Sequence, residues 1–325
     1  MKMSFPTFPI RRWPLIIVLA VILPLTACSS IRFGYNHADT FLIFRLDQYF
    51  DLEQSQKQLA KDRIGALLAW HRATQLQDYA ALLDEIRAKL NGPVTPSEII
   101  SFQDKIRQRL ETLGERAAPE IAKLALTLKP SQIAQVRREL DEDAAEFREE
   151  YGYSHDPSND NPQARAKLVI KRAEFWLGKL TEQQRAMIRQ ATAESDSGNY
   201  TWADEREARQ REFLALLSKI ERQKPQERIA TDWVRDYFAE LAHQTDPQRR
   251  AFVETSRRAN AELIAKLLNS ATPKQRIALN EKLQGYAADL AALVEENRRL
   301  GQHMSPLPSD ELSVRPEAKA SQRPR

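Results

Sequence analysis

Leu180-Thr181-Glu182-Gln183-Gln184 spells the first turn of a helix. Thr181 at the N-cap accepts a hydrogen bond from the free N–H of Gln184, and the Gln184 side chain reaches back to the Thr181 N–H. The same capping box is written at Val94-Thr95-Pro96-Ser97-Glu98, pairing Thr95 with Glu98. Ala271-Thr272-Pro273-Lys274-Gln275 pairs Thr272 with Gln275. Pro suits the first helical position, where its missing N–H would have had no helical partner. Gln244-Thr245-Asp246-Pro247-Gln248 is a weaker copy. Leu128-Lys129-Pro130-Ser131-Gln132 and Leu52-Glu53-Gln54-Ser55-Gln56 keep the Leu and the Gln without the Thr.

Between these starts, apolar residues recur at steps of three and four. Ile133, Val136, Leu140, Ala144, Phe147 and Tyr151 form one such stripe, and Leu279, Leu283, Tyr286, Leu290 and Leu293 another. Each stripe gives a helix one apolar face and leaves its charged residues to solvent. No run of alternating β-branched residues competes. The predicted fold is all-α, built of antiparallel hairpins or a bundle of long amphipathic, coiled-coil-like helices. The predicted helices are 40–48, 53–90, 96–118, 119–127, 131–152, 163–178, 182–195, 201–222, 226–243, 247–269 and 273–300. Gly65 is the expected bend in 53–90. The motif spacings are too irregular for a strict solenoid. The polar stretch from Tyr153 to Pro162 reads as a loop. It divides an all-helical domain, 39–303, into stretches 39–152 and 163–303, each with its own Leu-x-x-x-Gln starts, as a duplication would leave them. Residues 304–325 carry Pro, Ser and charge without periodicity and read as a disordered tail.

The 325 residues include 9 Gly and 1 Cys, which exclude a disulfide scaffold, a cysteine zinc site and a Gly-rich phosphate loop. The formal net charge is +4. Lys2, Arg11 and Arg12 supply most of that excess; without residues 1–27 the chain has 46 cations against 45 anions. The body therefore has no net cationic drive toward nucleic acid, and no nucleic-acid partner is expected.

Lys2, Arg11 and Arg12 precede an apolar run from Trp13 to Leu25, too short for a comfortable membrane span. Leu25, Thr26, Ala27 and Cys28 follow. This resembles a bacterial lipoprotein signal with its Leu-small-small-Cys lipobox. The resemblance implies that residues 1–27 are removed and that Cys28 carries the lipid. Residues 28–38 would then be a lipidated linker, anchored by several acyl chains. Ser29 resembles the signals routed to the outer membrane, facing the periplasm. No cofactor is expected other than that covalent lipid.

Enzyme signals are sparse. None of the five His forms the i, i+4 pair of a zinc protease, and no nucleophile elbow or Walker loop occurs. Glu240-Leu241-Ala242-His243 is a single Glu-x-x-His, whereas a di-iron bundle needs two, so His243 reads as a surface or capping residue and no metal site is expected. Trp70-His71-Arg72 reads as a core Trp flanked by exposed His and Arg. The pairs Arg137-Arg138, Arg249-Arg250, Arg257-Arg258 and Arg298-Arg299 read as solvated, ion-paired faces.

Leu180-Thr181-x-x-Gln184 resembles the repeats of the small periplasmic chaperones of the envelope stress response, the spheroplast protein Y and Cpx-pathway inhibitor group, which are helical and cradle unfolded clients. Over most of residues 28–300 the chain is more similar to a family of proteobacterial lipoproteins of unknown function. That likeness rests on Arg32-Phe33-x-Tyr35-Asn36, Asp51-Leu52-x-x-x-Gln56, Leu67-Leu68-x-Trp70-His71-Arg72 and Trp176-Leu177-Gly178-x-Leu180-Thr181. It implies a compartment and a fold and carries no active site. Arg45-Leu46-Asp47-Gln48-Tyr49-Phe50 loosely resembles a motif of the lipase-specific foldases, though its spacing does not match. The expectation is a non-enzymatic, lipid-anchored binding or chaperone-like envelope protein with protein clients. Alternatives are a scaffold of an envelope complex or peptidoglycan contact, and a metal-binding bundle enzyme.

Overall fold

The computed structural model describes residues 30–195 and 200–303. The lipobox residues Leu25, Thr26, Ala27 and Cys28 and the 304–325 tail lie outside the described residues. Among the described residues there are twelve α-helices and no strand. They are α1 (Ser30–Asn36), α2 (Ala38–Phe50), α3 (Gln54–Thr74), α4 (Leu76–Lys89), α5 (Pro96–Ala125) and α6 (Pro130–Tyr151). After a 3-10 turn at Pro157–Asn159 come α7 (Pro162–Leu177), α8 (Glu182–Ser195), α9 (Trp202–Gln223), α10 (Glu227–His243), α11 (Pro247–Asn269) and α12 (Pro273–His303).

The capping boxes are formed. Thr95 N donates to Glu98 Oε2 at 2.9 Å and Glu98 N to Thr95 Oγ1 at 3.3 Å. Thr181 with Gln184, and Thr272 with Gln275, make the same reciprocal pairs. A further box, Thr201 with Asp204, starts α9. At α11 the cap moves one residue on from Thr245: Asp246 accepts from Arg249 N at 2.8 Å.

Four helix boundaries differ from the periodicity. The long 53–90 segment breaks at Gln75, not at Gly65. Thr74 Oγ1 donates to the Trp70 carbonyl at 2.8 Å beside this break. Residues 96–118 and 119–127 form one helix, α5, running through Pro119 to Ala125. The proline forgoes one ladder bond. The tight burial of Ala117, Ala118, Ala122 and Ala125 keeps the turns in place. The expected linker is helical from Ser30 to Asn36, and α12 continues to His303.

The buried glutamines join the helix starts in pairs. Gln56 Nε2 donates to Gln132 Oε1 at 3.0 Å and Gln132 Nε2 returns to Gln56 Oε1 at 2.8 Å. Gln184 and Gln275 do the same at 3.0 and 2.9 Å. In every case the Oε1 also accepts from the N–H of its own N-cap residue. Each Nε2 also reaches a carbonyl ending the helix before its partner's start, such as Phe50 O from Gln132 and Lys179 O from Gln275. Leu52, Leu128 and Leu180 are buried beside these pairs. One motif thus caps its own helix and ties it to a second.

The core does not sort by the Tyr153–Pro162 loop. Leu52, Leu128 and Val136 share a cluster with Leu214, Ile220 and Val234. Leu180, Ile188 and Leu283 share another with Leu83, Ile86 and Leu90. Helix α5 packs along α10, and α4 along α12. Each glutamine-paired module is therefore completed by helices from the other stretch. Asn269 fastens the crossing: its amide exchanges hydrogen bonds with the N–H and carbonyl of Val94 at 2.9 and 2.8 Å.

Candidate functional site

Where the two stretches meet, α6, α7, α9, α10 and α11 surround a cleft of about 810 Å³. Helical spacing aims the lining. Leu140, Asp143, Phe147 and Tyr151 lie on one face of α6; Arg165, Val169 and Arg172 on one face of α7; and Trp202, Glu205, Arg206 and Arg209 on one face of α9. The cleft is rich in rings. Phe147 stacks on Tyr151 at 4.2 Å, Trp202 meets Phe252 edge-on at 5.2 Å, and Phe213 lies 5.8 Å from Tyr237.

Arginines lie over these rings. Arg206 sits 5.0 Å from the Phe147 ring centre, Arg165 4.3 Å from that of Tyr153, and Arg172 5.8 Å from that of Tyr151. The lining carries four arginines, completed by Arg209, against the carboxylates Asp143 and Glu205. Its net charge is positive although the chain body is neutral. No His or Cys is among the lining residues.

One wall is held by a buried ion cluster. Glu205 has no exposed surface. It accepts from Arg249 Nε and NH2 at 2.9 and 3.1 Å, from Arg209 Nε at 2.7 Å and from the Tyr200 hydroxyl at 3.0 Å. Burial pushes its carboxyl up, and the Arg249 and Arg209 hydrogen bonds outweigh that, leaving it below the ordinary glutamate range. Arg249 also pairs with Glu212, and these partners hold its guanidinium above the ordinary range. Burial first, then the Glu205 charge, pushes the Tyr200 hydroxyl up to about 12. Burial likewise raises Tyr237 to about 12. Both phenols are neutral at physiological pH.

Arg249 departs from its expected role on a solvated face, because its partners are 44 and 37 positions away on α9. The α6 stripe reads as core; at its C-terminal end it lines the cleft instead. Trp202 and Phe252 carry no local signal, since each meets a ring from another helix, and the local Glu205–Arg209 pair does not report that Arg249 joins it from α11.

The Trp70-His71-Arg72 cluster also differs from expectation. His71 is half-buried, its Nδ1 2.8 Å from the Tyr35 hydroxyl and its ring edge-on to Tyr79. Arg72 binds Asn36 Oδ1 at 2.5 Å. The cluster clasps α1 to α3, which local periodicity does not report. His243 is exposed, 3.4 Å from Glu111, and Glu240 accepts from Thr245 N. Among the described residues no group of three His, Cys, Asp or Glu is placed to hold a metal ion. No helix among them is long and apolar enough to cross a membrane.

A family model described as a family of unknown function (DUF6279) matches residues 48–236, more than half of the chain. No curated protein and no solved structure matches the chain.

Proposed function

The chain belongs to the DUF6279 family, and for this member we propose the role of a non-enzymatic binding protein of the bacterial envelope. It is tethered through lipid at Cys28 to the periplasmic face of the outer membrane. The cleft between α6, α7, α9 and α11 takes the ligand. The observation that carries this reading is the aromatic lining overlaid with arginines, with about 810 Å³ of room. A concave site rich in rings with a few directed polar groups is the ordinary form of a binding pocket. An excess of guanidinium over carboxylate selects a ligand with an apolar or aromatic body and an acidic group. Lipidation at Cys28 is supported by the lipobox that precedes it.

The test uses the full chain and the aromatic anion anilinonaphthalene sulfonate. We expect saturable one-to-one binding, weakened severalfold by Phe147→Ala and by Arg172→Ala. Absence of saturable binding, or an affinity in both variants unchanged from that of the native chain, overturns the cleft as the site. Suppression of client aggregation by the full chain, lost in the same variants, would assign the ligand to segments of unfolded protein. Intact mass of the mature protein tests the anchor: an unmodified Cys28 removes it.

A further inference from the structure

Helices α1 and α2 present an unusually apolar outer face. Phe33, Phe41 and Phe44 are exposed at 68%, 62% and 65%, with Leu42 at 40% beside them. Phe33, His37, Phe41 and Phe44 follow each other by four, four and three residues, which places them in one row. The row survives the junction between the helices. His37 N still donates to Phe33 O at 3.2 Å, and Phe41 N to His37 O at 3.1 Å. From residue 31 to residue 50 the charged residues Arg32, Asp39, Arg45 and Asp47 lie outside this row and are only partly exposed, with Arg32 and Asp47 in ion pairs with Glu296 and Lys57. In a chain with 29% charged residues, a row of exposed positions holding three Phe and no Asp, Glu, Lys or Arg is not an ordinary solvated face.

The opposite face is fixed to the body. Arg32 pairs with Glu296, Tyr35 meets His71, and Phe50 is buried in the first core cluster. The row therefore cannot turn inward without breaking these contacts.

We propose that this row docks into the interfacial layer of a lipid bilayer, so that the protein lies on the membrane rather than hanging from a tether. The occupant follows from the chain's own geometry and rests on the reading of Cys28 as the lipid attachment site. Phe33 is five residues after Cys28, at most about 17 Å away even if that segment is fully extended. Phe41 is about 12 Å further along the helix. Residues 30–36 are helical and continue into α2, so they do not supply a long flexible spacer. A lipid at Cys28 holds this row beside the bilayer, where exposed aromatic side chains partition into the headgroup boundary. The anchor and the row act as two signals, and neither alone is expected to fix the orientation.

The test places an environment-sensitive nitrobenzoxadiazole dye on Phe41→Cys, Phe44→Cys and Arg258→Cys, each in the full chain. Arg258 is 72% exposed and serves as the remote control. The proteins are reconstituted in phosphatidylethanolamine and phosphatidylglycerol vesicles containing a doxyl-labelled lipid, and intact mass reports lipid at Cys28. We expect a blue shift and quenching by the doxyl lipid at positions 41 and 44, and neither at 258. Lipid present on Cys28 with an aqueous, unquenched dye at 41 and 44 overturns the docking and leaves the anchor standing. No lipid on Cys28 but quenching at 41 and 44 overturns the anchor and supports the docking. A blue shift that rises with protein concentration but is insensitive to doxyl lipid assigns the face to a second copy of the chain and overturns the proposal.

Discussion

Gln56 and Gln132 hold each other by two amide hydrogen bonds, 3.0 and 2.8 Å long, from helix starts 76 positions apart. Each is almost fully buried. Gln132 also serves the Lys129 N–H and the Phe50 and Asp51 carbonyls. Removing it leaves several polar groups without partners, and each unsatisfied buried group costs about 1–3 kcal/mol. Gln132→Leu should destabilise the full chain by about 2–4 kcal/mol in denaturant unfolding. Adding Gln56→Leu should cost less than the two single changes summed, because both break one network. Strict additivity would show that the amides are not coupled.

Arg249→Leu should cost about 3–5 kcal/mol, since it leaves Glu205 buried beside Arg209 alone among its charged partners. The pH dependence has a definite sign. The folded carboxyl is below its ordinary value of about 4.3. Its contribution to stability is complete above that value and is lost as pH falls through the folded value. Glu205→Gln should flatten the acid limb of the stability curve between neutral pH and the acid transition. An unchanged acid limb would assign that slope to other carboxylates.

His71 should give a second, higher pH window. Burial against Tyr35 and Tyr79 lowers its imidazole below the usual value of about 6.5. The unfolded chain therefore takes up the proton first. Stability is complete above about pH 6.5 and falls as pH drops toward the folded value. The melting temperature of the full chain at pH 5.5 should be below that at pH 7.5 by more in the native protein than in His71→Gln. Equal differences would exclude His71 as the sensor.

Two glycines should respond differently to alanine. Gly152 ends α6 at φ +67°, where an added Cβ would lie 2.6 Å from the Asn161 carbonyl oxygen. Gly152→Ala should cost more than the about 1–2 kcal/mol of the left-handed conformation alone. Gly114 lies mid-helix in α5, where an added Cβ would lie 3.3 Å from the Phe238 ring. Gly114→Ala should stay within about 1 kcal/mol of neutral, because the gain in helix propensity of about that size offsets the tight contact. Gly114→Leu should push α10 off α5. Circular dichroism melts of the three variants check the order.

Much of the helix content is legible in short segments. Thr181 and Gln184 are three residues apart, so the box they form needs nothing from the rest of the chain. The break at Gln75 and the passage of α5 through Pro119 are harder to read, because helical periodicity continues through the first and the local cost of the proline is set against packing contributed elsewhere in the second. The cleft is the least legible part. Phe147 belongs to a regular apolar stripe and Arg249 to a double arginine, and neither pattern distinguishes a core, a solvated face and a lining position.

That this protein is helical, and where many of its helices begin, follows from the order of residues alone, because capping and amphipathic spacing act within one or two turns. The Leu25-Thr26-Ala27-Cys28 sequence and the near-neutral charge of the chain that follows are equally local. Which starts are joined, Gln56 to Gln132 and Gln184 to Gln275, emerges first in the folded molecule, since a buried amide is satisfied equally well by any partner of the right geometry. The same holds for the meeting of Glu205 with Arg249, for the arginine-overlaid rings that open onto a cleft, and for the phenylalanines of α1 and α2 that face outward. Those outcomes depend on how helices distant in the chain cross, and no short stretch of residues encodes a crossing.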